Sequence, residues 1–109
     1  MFSMRCKTSS KMKFLTKVHK GQGRKIVCLC DKELIGKKIE SKDMELNISK
    51  SFYNGSDLSE DEVLKETREF SSLNIIGKEA VDFALKNGLI LKSNIIKIKD
   101  IPHAIVISL

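Results

Sequence analysis

The sequence predicts an α+β fold: a small, mostly antiparallel sheet, built from an N-terminal hairpin and later strands, packed by two helices and preceded by a basic N-terminal arm. Three observations predict it. Short runs of period-two or continuous apolar residues recur along the chain, as strands require. Two longer segments carry helix start and stop signals. The length, 109 residues, suits one domain around one core. Hydrophobic residues at 41% and charged residues at 31% are those of a globular chain rather than a disordered one.

Residues 1–12 have little apolar pattern and include Thr8-Ser9-Ser10, so they read as an extended arm, with the domain proper at 13–109. In 14–20, Phe14, Thr16 and Val18 alternate with Leu15 and Lys17, a strand. Lys20-Gly21-Gln22-Gly23-Arg24 is a tight turn, and 25–31 returns as a second strand, closing an antiparallel hairpin. Leu34 and Ile35 anchor the turn that follows; 38–41 reads as a short extended piece and 44–48 as another short strand. Phe52-Tyr53-Asn54-Gly55 reads as loop. Ser59-Glu60-Asp61-Glu62 has the spacing of a capping box, with Leu58 and Val63 at the staple positions. The helix it opens is expected over 60–72, burying Val63, Leu64, Thr67 and Phe70. A second helix is expected over 77–87, with Ala80, Val81, Phe83, Ala84 and Leu85 as its apolar stripe and Asn87-Gly88 as its stop. Ile96 and Ile98 alternate with Lys97 and Lys99, Pro102 is expected to break the pattern, and 104–109 reads as a final, central strand.

Blocks along this pattern resemble a known family. They are VCLCDKELIGK at 27–37, FYNG at 52–55, LNIIGKEAVDFALKNGLI at 73–90 and IPHAIVISL at 101–109. In that order they are similar to an archaeal family known as domain of unknown function 424, over about 13–109. The resemblance implies a small archaeal α+β domain and carries no activity with it. The arm lies outside it.

Charge is distributed unevenly. Arg5, Lys7, Lys11, Lys13, Lys17, Lys20, Arg24 and Lys25 all precede the first acid, Asp31, whereas the remaining 79 residues carry twelve basic and fourteen acidic side chains. A basic arm and hairpin on a near-neutral body point to a polyanionic partner. Such side chains neutralise phosphates and release counterions, which gives affinity without sequence reading.

Other chemistries are weakly signalled. Cys28 and Cys30 share a strand face, and with His19 and His103 could in principle make a tetrahedral zinc site, but the spacing is not that of a finger or ribbon. The CxC pair lacks the CxxC helix-start geometry that lowers a thiol pKa, so two buried thiols under a helix is the preferred reading. His103 has no evident catalytic partner. Gly77-Lys78 could bind an anion at a helix start, though a glycine cap beside a surface lysine is the plainer reading; no P-loop or GxGxxG pattern is present. No run is apolar enough to span a bilayer, the N-terminus lacks the core of a secretory signal, and three cysteines suit a reducing cytoplasm.

The expectation is therefore a cytoplasmic, non-enzymatic, ribosome-associated archaeal protein without cofactor or small-molecule substrate. Its eight N-terminal basic residues would contact rRNA, beside neighbouring ribosomal proteins. A protein-interaction module using the exposed sheet or the Phe52-Tyr53 segment is the alternative. A metal-binding or enzymatic protein using Cys28, Cys30 and His103 is a further one.

Overall fold

The computed structural model describes residues 12–42 and 45–108. The arm up to residue 11, with Arg5, Lys7 and Lys11, lies outside the described residues; Met12 packs against the core.

Strands β1 (Phe14–Gly21) and β2 (Arg24–Asp31) form the expected antiparallel hairpin. Gly21 pairs with Arg24, so the connection is the two residues Gln22 and Gly23, with φ of 51° and 74°. Positive φ at both positions belongs to the mirror-image turns whose twist matches that of the strands. A 3₁₀ turn (Lys32–Leu34) leads to a small ribbon of β3 (Lys38–Glu40) and β4 (Glu45–Asn47). Helices α1 (Lys50–Tyr53) and α2 (Glu60–Glu66) follow, then β5 (Ser72–Ile76), α3 (Lys78–Lys86), β6 (Ile95–Ile98) and β7 (Ile101–Ile107). The main sheet has the order β1-β2-β5-β7-β6; only the β2–β5 pair is parallel. The fold is thus α+β with a mostly antiparallel sheet.

Period-two alternation divides the sheet's side chains between two clusters. On the first face Phe14, Val27, Leu29, Leu73, Ile75 and Ala104 pack against Val63 of α2 and Ala80, Val81, Phe83 and Ala84 of α3. On the second, Cys28, Cys30, Ile76 and Ile98 pack against Leu34, Ile39, Ile48 and Tyr53. The β3–β4 ribbon and α1 cover that second face, making a third layer.

Four details differ from the sequence reading. The first helix ends at Glu66, not Ser72: Thr67 caps it and turns its hydroxyl onto the Val63 carbonyl at 3.0 Å. Residues 67–71 form a turn instead, and 72–76, of which the sequence pattern gives 73–76 no element, form β5, the middle strand of five. Leu73, Ile75 and Ile76 are fully buried because β5 is covered on both faces, which removes the alternation that announces a strand. The Phe52-Tyr53 segment is a short helix rather than loop, because Ser49 accepts the Phe52 N–H and caps it. Pro102 does not break β7. Its carbonyl accepts from Gly77 N–H at 2.9 Å, so its missing N–H would point to the same side, where β5 has ended and the Gly77 carbonyl already serves Val81 in α3.

Candidate nucleic-acid interface

The hairpin turn carries the exposed cations. Lys20, Gly21, Gln22, Gly23 and Arg24 are five consecutive exposed residues, and apart from their chain neighbours no heavy atom lies within 4 Å of the points where side chains on Gly21 or Gly23 would begin. The tip therefore stands clear of the body. Among the described residues Lys13, Lys17, Lys20 and Arg24 make no ion pair.

The five described basic residues of the sequence-level set do not form one patch. Lys13 lies at the opposite end of β1 from the turn, about 23 Å from Lys20 at the strand rise of roughly 3.3 Å per residue. There it borders a cavity shared with Asp31, Glu33 and Glu79, a region of mixed charge. Lys25 is engaged: its ammonium contacts the Glu66 carboxylate at 3.1 Å and donates to the Glu66 carbonyl at 2.8 Å, tying β2 to the end of α2. What remains is Lys20 and Arg24 at the tip and the half-buried Lys17 further into the strand.

The second face of the sheet holds a polar group that sequence reasoning did not anticipate. His103 Nε2 lies 3.1 Å from Asn74 Oδ1, and Asn74 also bonds the Tyr53 hydroxyl. His103 is buried, its Nδ1 has no hydrogen-bond partner, and burial holds its pKa below the ordinary histidine value. Burial pushes the Cys28 and Cys30 thiols and the Tyr53 phenol each up to about 12. These thiols are protonated and poor nucleophiles at neutral pH. The only signal for this group in the sequence is a single polar residue, Asn74, inside an apolar run.

The zinc arrangement weighed from sequence does not assemble. Cys28 and Cys30 lie in the apolar layer under the small ribbon and α1, on the face opposite α3. His19 stacks on Phe52, ring centroids 4.4 Å apart, with its Nε2 2.9 Å from the Phe52 carbonyl oxygen. Among the described residues no three His, Cys, Asp or Glu side chains gather in a ligating group.

The start of α3 is also occupied. Asp31, at the end of β2, accepts from the backbone N–H groups of Glu79 at 3.1 Å and Ala80 at 2.8 Å. A carboxylate from another element thus fills the anion site that free N–H groups would offer. Gly77 has φ +109°, and a Cβ there would collide with the Asp31 carboxyl carbon. That close approach, rather than anion binding, explains Gly77 before Lys78.

Among the described residues no helix is long and apolar enough to cross a membrane. An uncharacterized conserved protein from Methanopyrus kandleri, known from its crystal structure, is similar in fold. The TM-score is 0.70 at 24% identity, over 85% of this chain and 89% of that one. No curated protein matches the chain. The family profile described as "Protein of unknown function (DUF424)" matches residues 19–109, which take in the last three residues of β1, every later element of the described structure and all four of the sequence blocks, and the chain belongs to that family.

Proposed function

We propose that this chain is a small, non-enzymatic RNA-binding protein of the archaeal cytoplasm, associated with the ribosome, that holds rRNA phosphates with the β1–β2 hairpin and the basic residues preceding it. One observation carries the reading: a hairpin tip that projects from the body, with Lys17, Lys20 and Arg24 unpaired among the described residues. Cations without internal partners have their full charge available to an external polyanion. The acids of α2, Glu60, Asp61 and Glu62, belong to the first turn of their helix, where they favour its dipole.

The test is binding of rRNA fragments as a function of salt. Each phosphate contact contributes about 0.7–0.9 to the slope of log K against log salt. Replacing Lys17, Lys20 and Arg24 together by alanine is expected to lower the slope by about 2–3, with unchanged thermal stability. An unchanged slope would remove the hairpin from the interface.

A second reading, a protein-interaction module, is favoured by a separate observation. Ile96, Ile105 and Ile107 are all exposed on the second sheet face, beyond the reach of the β3–β4 ribbon. If that reading holds, Ile105→Lys abolishes partner binding and the hairpin variants do not.

A further inference from the structure

Resting on the RNA-binding reading, we infer that the hairpin enters a folded RNA between two facing phosphate backbones, as a wedge with cations on both sides, and does not lie along an unpaired strand. The register carries this. Lys17 pairs with Cys28 and Arg24 with Gly21, which places Lys17 and Arg24 on the sheet's second face, with Cys28 and Cys30. Lys20 pairs with Lys25 and belongs to the first face, with Val27 and Leu29. Because β5 joins β2 only from Ile26 onward, the free two-stranded part of the ribbon presents Arg24 on one side and Lys20 on the other, while Lys17 stands on Arg24's side roughly 13 Å further in, where the sheet is wider.

A single backbone lying on one face would leave the opposite cation unused. Two backbones about 10 Å apart, with the ribbon between them, would engage both sides; a two-stranded ribbon is thin enough to enter a groove of about that width. The regular major groove of an RNA helix is deep and narrow, which favours a junction or internal loop where the backbones part.

The aromatic residues point the same way. Sequence-tolerant binding of unpaired strands uses aromatic faces on which bases stack. Here Phe52 has one face against His19 and meets Tyr53 edge-on at 4.9 Å, and Tyr53 is buried. The turn itself, Gly21-Gln22-Gly23, has no aromatic at all. The tip offers charge and backbone without a stacking platform.

The experiment uses the full chain and two fluorescent RNAs of equal length and charge, a hairpin with an internal loop and an unstructured oligouridine. The folded RNA is expected to bind at least about tenfold more tightly. Lys20→Glu and Arg24→Glu are each expected to weaken it at least about fivefold, with melting temperatures unchanged. Equal or tighter binding of oligouridine, or sensitivity to charge reversal on one face only, would overturn the wedge and leave RNA binding standing. Failure of both RNAs to bind at moderate salt would overturn the RNA-binding reading itself.

Discussion

Asp31 shows how one residue can fix the relation between two elements. Its carboxylate ends β2 and caps α3, and burial raises its pKa while the two N–H bonds from Glu79 and Ala80 oppose that rise. Asp31→Ala leaves two donors without their partner and is expected to cost about 1–3 kcal/mol in chemical denaturation. Gly77→Ala is expected to cost at least as much, because it adds strain at positive φ to a collision with the same carboxyl. The histidine on the opposite face gives a pH dependence. His103 has a folded pKa below its ordinary 6.5, so the unfolded chain binds more protons in the window between the two values. Stability should therefore fall as pH drops below about 6.5, by at most about 1.4 kcal/mol per unit from this one group. His103→Gln should flatten that slope between pH 7.5 and 5.5; an unchanged slope would place the titration elsewhere.

At the scale of elements, the parts that announce themselves locally were legible. Ser59 and Glu62 form the capping box their spacing implies, the Gln22-Gly23 turn sets the β1–β2 register, and α3 covers the segment its apolar stripe marks. The strand β5 was not legible, because a strand buried on both faces has no polar side to alternate. Leu73, Ile75 and Ile76 then show no period by which to place them between the two expected helices. The candidate site was legible in composition but not in arrangement. Sequence places Lys17, Lys20, Arg24 and Lys25 together, whereas only the register separates their faces and only the tertiary structure pairs Lys25 with Glu66. Because β5 joins the hairpin to β7, it is expected to govern stability. Ile75→Ala should cost about 2–4 kcal/mol and lower the midpoint of one cooperative transition. A loss below about 1 kcal/mol would contradict the central place given to β5.

Over the whole molecule, net charge is +6, while residues 1–30 alone contain eight basic side chains and no acid. The body after residue 30 has a slight acidic excess, so attraction to a polyanion acts through one end of the chain. The exposed isoleucines of β6 and β7 lie on the sheet's second face toward its other edge, away from the hairpin in strand order. RNA at the hairpin and a neighbouring protein at the far edge would then be compatible. The measurement that tests ribosome association most directly is sedimentation of native lysate through sucrose gradients at low and high salt, probing for this chain and for its Lys17, Lys20 and Arg24 alanine variant. Co-migration with a ribosomal subunit is expected at low salt, and loss of it at high salt or in the variant. Migration only at the top of the gradient under every condition would contradict it.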